Sequence, residues 1–525
     1  MLKKKLLFLI PAFAALSLSA CTQAEEILSK INSIIENSNS QSVEENSNSN
    51  TGNSNSASAP AVKDVTIDFW HTFGQGIEEG MQAYVDQFQK IIKDNEGVNV
   101  TINLSKEGSY TDIHTKIVNG LGASNVPTLA VAYPDHVADY LHLKKDAVVN
   151  LDSYINDEKI GFGKESYLGD SKGKDVYDKD DFIPVFMDEG RNYAYEGTYS
   201  IPFMKSTEIM FYNMNIIRRA LKIHKPEIYN NEAKVKEYMN NLTWDELFTL
   251  AQVIKNNKST VAPKLEYPVF YDSDGNLFIS QLYQRNIGYS SYDNSHKPQI
   301  DFENSTEKAK VVSFLDELRQ LHKDGLLTTK DTKGEYSSYS FTPEKCAIAI
   351  GSSGGAGYNI PSGDAFELGV APVPYKGQRK YVTQGVTLAI LRNPGYSDAV
   401  NDAKCYYAWK FAKFITNPSV NASICIEDSQ GYVPVRESAY EIDKFMEFLG
   451  MSEDNDYAKT AEVVMEINGG ADYYINTPVF SGSANLRNLC GGAIATLLTS
   501  DDNNDTVSTE SVVNEVIKNA KSHIA

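Results

Sequence analysis

Val65-Thr66-Ile67-Asp68-Phe69-Trp70 opens the run whose reading decides the fold, because Val65, Ile67 and Phe69 alternate with polar residues as they do along a strand. From Gly76 the period changes: Ile77, Met81, Tyr84, Val85, Phe88, Ile91 and Ile92 recur at helical spacing, and Gly97 supplies a stop. Val98, Val100, Ile102 and Leu104 predict a second strand, Tyr110 to Gly120 a second helix, and residues 127–133 a third strand. Strand, helix, strand, helix, strand implies right-handed crossovers and a largely parallel sheet covered by helices. Ligands of such α/β folds meet the loops at the carboxyl ends of the strands. Those loops are Trp70-His71-Thr72-Phe73-Gly74 and Tyr133-Pro134-Asp135-His136.

The same grammar returns towards the C-terminus, where Cys346 to Ile350 runs into Gly351-Ser352-Ser353-Gly354-Gly355-Ala356-Gly357, and where Val386 to Leu391 follows Gln384-Gly385. Between these, Thr243 and Glu246 bracket a capping box that predicts a helix to about Lys255. Asp272-Ser273-Asp274-Gly275-Asn276 imitates the start of a calcium loop but has Leu277 and Tyr283 where Gly and the bidentate Glu belong, and reads as an Asp-Gly turn. Val512, Val513, Val516, Ile517 and Ala520 form a last helical face.

In the other direction, Lys3, Lys4 and Lys5 precede an apolar run from Leu6 to Leu18 that ends in Leu18-Ser19-Ala20-Cys21. A basic segment, a short apolar segment and small residues before a Cys predict a lipoprotein signal peptide over residues 1–20, lipidated at Cys21. Pro11 and the shortness of the run argue against a membrane-crossing helix. Residues 21–62 are then a tether, Asn/Ser-rich from about Glu36 to Ala61 and too poor in apolar residues to build a core. As a flexible coil of roughly 25 residues, that part spans on the order of 25 to 30 Å. Localisation on the outer face of the cell membrane follows from two or more acyl chains on Cys21.

The remaining body is too long for one ordinary domain and fits two lobes. Its net charge of -20 argues against nucleic acid as a partner. Cys346, Cys405, Cys425 and Cys490 lie in no metal-binding spacing and leave one or two disulfides open.

Several ordered strings resemble the family 1 extracellular solute-binding proteins of bacterial ABC importers, of the maltose and glycerol-3-phosphate types. They are Phe69-Trp70-His71, Gly108-Ser109-Tyr110, Phe182-Ile183-Pro184, the stretches Tyr199 to Thr207 and Phe211-Tyr212-Asn213, Thr243 to Leu247, Cys346 to Ile360, and Gly431-Tyr432-Val433-Pro434-Val435. The resemblance implies a type II, two-lobed periplasmic-binding-protein-like α/β fold, each lobe a mostly parallel sheet flanked by helices, with a hinged cleft between them. It implies lobe 1 over residues 65–200 and 381–437, lobe 2 over 201–380 and 438–525, and crossings near 200–211, near 374–385 and soon after Arg436. The implied function is capture of a small solute, most simply a carbohydrate, by a monomer that hands it to ABC permease subunits unaltered, with no cofactor, no metal and no catalysis.

A sugar site needs flat rings beside a few placed polar groups. Trp70, Tyr133 and Tyr358 follow strands at the expected ends, with burial against the following helix the alternative for Trp70. Tyr110 belongs to the string before the second helix. His71 reads as a hydrogen-bonding loop residue, since no second ligand stands at metal spacing. Ser352, Ser353 and Gly354 lie in a loop whose backbone N–H groups are available to hydroxyls or an anion, a tight turn being the alternative. Gln384 and Gly385 stand where the family has a Gly-Gly at the cleft. Asp135 and Glu208 offer carboxylates to hydroxyls, Asp135 being equally a helix cap. Of Ser206 and Thr207 strand alternation lets one face the cleft, and Ser206 is favoured. The Arg that glycerol-3-phosphate binders carry near the C-terminus is missing from the matching segment Phe480 to Ala484, and Arg487 comes later, in a helix. A surface-anchored glycan hydrolase, or a binder of glycerol phosphate, peptide or polyamine, are the alternatives.

Overall fold

The structure is a computed structural model, and it describes residues 59–168 and 179–524 except 364, 430, 471, 504 and 506. The signal peptide, Cys21 and nearly all of the tether lie outside the described residues.

The strands are β1 (Asp64–His71), β2 (Asn99–Lys106), β3 (Leu129–Ala132), β4 (Ile201–Asn213), β5 (Tyr267–Tyr271), β6 (Ser290–Tyr292), β7 (Pro298–Ile300), β8 (Leu327–Thr329), β9 (Cys346–Ser352), β10 (Leu368–Pro372), β11 (Tyr381–Ile390) and β12 (Tyr474–Ile475). Apart from the β6–β7 hairpin, hydrogen-bonded neighbours run in the order β2-β1-β3-β11-β4-β9-β5-β8, with β10 against β4 and β12 against β11. Pairing is parallel within β2-β1-β3 and within β9-β5-β8. It is antiparallel wherever β4 or β11 meets its long neighbours. Each lobe is thus a parallel sheet under helices, as the alternating periods predict, and two antiparallel strands join the lobes.

The helices that place the site are α1 (Gln75–Glu96), α2 (Tyr110–Ala123), α3 (Pro134–Leu143), α4 (Trp244–Asn256), α5 (Asp274–Gln284) and α6 (Ser483–Asp502). Gly97 ends α1 at φ 73°, the left-handed conformation that glycine adopts without a Cβ penalty. The Thr243–Glu246 capping box forms with both of its bonds, and Ser109 and Asp112 make another at the start of α2. Asp272 to Asn276 is not a free turn: Ser273 accepts the N–H of Asn276 and starts α5. The glycine there serves close packing, since a Cβ on Gly491 of α6 would stand 2.8 Å from the backbone N of Gly275.

Buried apolar side chains form two large cores. One draws on residues 65–204 and 386–435 with Val479, the other on 209–382 and 461–520 with Val433. β4 contributes to both, Ile201 to Met204 to the first and Ile209 to Tyr212 to the second, and all of its residues are buried. Three further segments pass between the two cores. β11 pairs Gly385 with Lys205 and Gln384 with Ser206, Val433 exchanges backbone hydrogen bonds with Lys205, and Val479 bridges to Tyr193 just before Phe480 enters the second core. The last of these passages is not legible in the sequence. Among the described residues Cys346, Cys405, Cys425 and Cys490 are buried and none is joined in a disulfide, so the bridges left open between them do not form.

At the join β11 carries a register shift and Gly385 has φ 98°, with space for a Cβ closed by the Met204 carbonyl oxygen at 2.1 Å. Gly385→Ala is therefore expected to lower unfolding stability by at least about 1–3 kcal/mol, as checked by urea denaturation.

Candidate functional site

The carboxyl ends of the strands of both lobes face a cavity of about 960 Å³ between the two cores. Its floor is the middle of β4 and β11. Ser206 and Glu208 line it, while Thr207 turns the other way and donates its hydroxyl to the Val382 carbonyl at 3.0 Å. Strand alternation does choose between Ser206 and Thr207, and the tertiary structure shows which. Gln384 and Gly385 lie beside them on β11.

The floor also holds a buried ion pair that residue patterns do not announce. Lys205 is 1% exposed and its Nζ donates to Glu189 Oε2, while Thr383 donates to Glu189 Oε1. Glu189 comes from a short helix of the first lobe, Pro184–Glu189, and nothing in its local sequence links it to residues 205 and 383.

Glu208 is 2% exposed. Tyr271 Oη donates to its Oε2 at 2.5 Å, and its Oε1 has no hydrogen-bond partner in the protein. Burial pushes its carboxyl up to about 8, against smaller opposing effects of Tyr271, Asn276 and Arg487. Its neighbour in the cavity Asp272 is also raised by burial, partly offset by Ser337, whose N–H and hydroxyl both donate to it.

The first lobe contributes the start of α3. Asp135 is not the helix cap: the N-cap is Tyr133, and Asp135 Oδ1 accepts the hydroxyl of Ser483 at 2.7 Å while Oδ2 lies 3.8 Å from Arg487 Nε. One turn on, Asp139 Oδ1 accepts from Ser481 Oγ at 3.0 Å and from the Gly482 N–H at 3.3 Å. These bonds tie α3 of one lobe to the start of α6 in the other. Burial holds the His136 imidazole neutral, stacked at 4.4 Å on His114. Arg487 is a helix residue, as its spacing suggests, and yet it lines the cavity, donating to Asn276 Oδ1 at 2.7 Å.

Aromatic rings edge the cavity. Tyr133, Tyr336, Tyr339 and Tyr358 line it and are 36%, 55%, 70% and 78% exposed. Tyr336 and Tyr339 carry no strand-end signal and are absent from the sequence-based set. Tyr432 lines the cavity as well.

Five of the sequence-based candidates lie elsewhere. His71 is fully buried, stacked at 4.7 Å on Phe73, and accepts the Phe73 N–H on Nδ1, because β1 alternation turns it into the core with Phe69. Trp70 is half-buried on the opposite face of β1, packed against the first core. Tyr110 supports Tyr133 from behind, their ring centroids 4.4 Å apart. Ser353 is buried and accepts the N–H of Thr207 at 3.4 Å. Gly354 donates its N–H to Ser352 Oγ at 3.2 Å, so that N–H is not offered to an anion, and a Cβ at this position would stand 2.8 Å from the Tyr432 ring. Tyr133, Asp135, Ser206, Glu208, Ser352, Tyr358, Gln384 and Gly385 do come together around the cavity.

Among the described residues no group of three or more His, Cys, Asp or Glu side chains is placed to hold a metal ion, and no helix is long and apolar enough to cross a membrane.

The model of the bacterial extracellular solute-binding protein family matches residues 83–452. No curated protein sequence matches the chain. Among solved structures it is similar to the GacH receptor of Streptomyces glaucescens, solved unliganded and with acarbose, at TM-score 0.60 and 17% identity over 88% of this chain and 98% of that one. An ABC substrate-binding protein of Listeria monocytogenes in complex with cycloalternan gives 0.60 and 15% over 88% and 98%. UgpB of Mycobacterium tuberculosis in complex with glycerophosphocholine gives 0.58 and 16% over 87% and 98%.

Truncating one member of a buried ion pair leaves the other uncompensated. Lys205→Met is expected to cost about 3–5 kcal/mol of unfolding free energy, and the Lys205→Met/Glu189→Leu double variant less than that, as read by denaturant titration.

Proposed function

From the premise that the chain belongs to the bacterial extracellular solute-binding protein family, we propose that it captures a neutral oligosaccharide or similar polyol in the interlobe cavity and delivers it unaltered to a membrane ABC permease. The observation that carries this reading is the concentration of exposed tyrosines at one place. Four of the five tyrosines among the exposed large side chains of the described chain line this cavity: Tyr133, Tyr336, Tyr339 and Tyr358. Exposed rings leave apolar faces in water, and a sugar covers such a face with its C–H groups.

The charges of the cavity support a neutral ligand. Lys205 is held by Glu189, Arg487 by Asn276 and Asp135, and Lys330 by Asp331 at 3.2 Å. Polar atoms without a protein partner, Glu208 Oε1, Gln384 Oε1 and Asn359 Oδ1, belong to residues that line the cavity, and hydroxyls meet such atoms directionally. The volume lies near the top of the roughly 300–1,000 Å³ range of ligand sites, which suits several sugar units better than one. The similar proteins solved with acarbose and cycloalternan support a carbohydrate. The one solved with glycerophosphocholine, together with Arg487 at the wall, keeps a glycerophosphodiester as a second reading.

In the same proposal the lobes are residues 65–200 with 381–437 and 201–380 with 438–525, and the protein is a monomer. Lipidation at Cys21 holds it on the outer face of the cell membrane, and residues 21–62 tether it within reach of the permease. Ser206, Gln384 and Gly385 then present the ligand from the floor, and Tyr133 and Tyr358 clasp it from opposite lobes.

The test is isothermal titration of the purified body with maltotriose, cellotriose, xylotriose and raffinose, alongside glycerophosphocholine and putrescine, followed by chromatography of the recovered sugar. One oligosaccharide is expected to bind and return intact; release of fragments would identify a hydrolase. Tyr339→Ala/Tyr358→Ala is expected to weaken that binding at least about tenfold, or ~1.4 kcal/mol, with an unchanged melting temperature because both rings are on the surface.

A further inference from the structure

Glu208 is the odd member of the cavity floor. It sits on β4 opposite Ser352 of β9, with 2% exposure, and one of its oxygens has a partner while the other has none. Every cation near it is engaged elsewhere: Arg487 on α6 bonds Asn276 of α5 and faces Asp135 of α3, and Lys205 on its own strand bonds Glu189. No Lys, Arg or His nitrogen among the described residues forms an ion pair with it, and the remaining titratable groups facing it, Tyr271 at the end of β5 and Asp272 after it, add no positive charge. A buried carboxylate with only neutral groups, Tyr271 and Asn276, to stabilise it and no cation paired to it is strongly disfavoured, so the group takes a proton. Because Tyr271 donates to Oε2, the proton belongs on Oε1, the oxygen without a protein partner on a residue that lines the cavity.

We propose that Glu208 is the specificity-determining residue of the cavity: it stands as a neutral carboxylic acid, donates its Oε1–H to an acceptor oxygen of the bound solute, and so admits uncharged oxygen-rich ligands while rejecting ammonium ones. The inference rests on the capture reading above, and it adds a proton to it. Ionisation turns the donor into an acceptor facing the ligand's acceptor oxygen, so affinity falls as the pH rises through about 8. Gln carries the donor and acceptor of a protonated Glu in nearly the same shape but does not titrate, so Glu208→Gln removes the pH dependence.

Two measurements on the whole body test this. The first needs no ligand. A folded-state carboxyl raised from its ordinary 4.5 to about 8 makes the native chain the better proton binder, so its contribution to stability is present below about pH 4.5 and is lost as the pH climbs to about 8. The melting temperature of the parent minus that of Glu208→Gln is expected to fall by several degrees between pH 5 and pH 8.5, the other titrating groups cancelling in the difference. A constant difference would mean an ionised Glu208 throughout and would overturn the proposal. The second measurement titrates each oligosaccharide of the panel above at pH 6, 7 and 9. Parental affinity is expected to drop about tenfold from pH 7 to pH 9, and the affinity of Glu208→Gln to stay constant over the same range. Affinity that is flat or rises with pH, or putrescine binding at pH 7, would overturn the donor role alone. Absence of oligosaccharide binding at pH 6 would instead overturn the capture reading beneath it.

Discussion

One strand belongs to both halves of the molecule. β4 enters from the first core with Ile201 to Met204 and leaves into the second with Ile209 to Tyr212, and between these apolar ends it carries Lys205, Ser206, Thr207 and Glu208. Backbone pairing to β11 and to Val433 satisfies its hydrogen bonds across the join, which allows four polar side chains to be buried in succession. The cavity floor is this polar interval. Its position follows from where one core ends and the next begins.

Each member of that interval is accommodated differently. Lys205 has a carboxylate, Thr207 a backbone carbonyl, Ser206 a neighbouring hydroxyl at 3.3 Å on Ser352, and Glu208 a phenol on one oxygen only. Lys205, Ser206 and Glu208 line the cavity, and of these only Glu208 keeps a side-chain oxygen without a partner, while Thr207 faces the protein. Closing α3 against the start of α6 through Asp135, Asp139, Ser481 and Ser483 sets one wall, and the second lobe brings three tyrosines to the rim. An apolar face of rings above a polar floor is what a sugar requires, having C–H faces and hydroxyl edges.

Local patterns carried much of the fold. The alternation of Val65, Ile67 and Phe69, the helical stripe of α1, the Gly97 stop and the Thr243 capping box are short-range features, and each forms as its residues suggest. The same locality misled at Asp272 to Asn276, where a turn-like string is the first turn of α5 because α6 packs against it through Gly275 and Gly491. It misled at His71 and Gly354 as well. Strand alternation sends His71 inward, and the Ser352 side chain takes the Gly354 N–H.

By itself the sequence determined the α/β class, the first alternation of strands and helices, and the strand end after which Tyr133 and Asp135 appear, since periodicity, caps and glycines act over a few residues. Only the tertiary structure decided which side chains share the cavity. Glu189 reaches Lys205, Arg487 reaches Asn276, and Tyr336, Tyr339 and Tyr358 gather at one rim. Those meetings join residues up to hundreds of positions apart, and burial and pairing in space, which no local pattern records, set the charge and the hydrogen-bonding capacity of each group there.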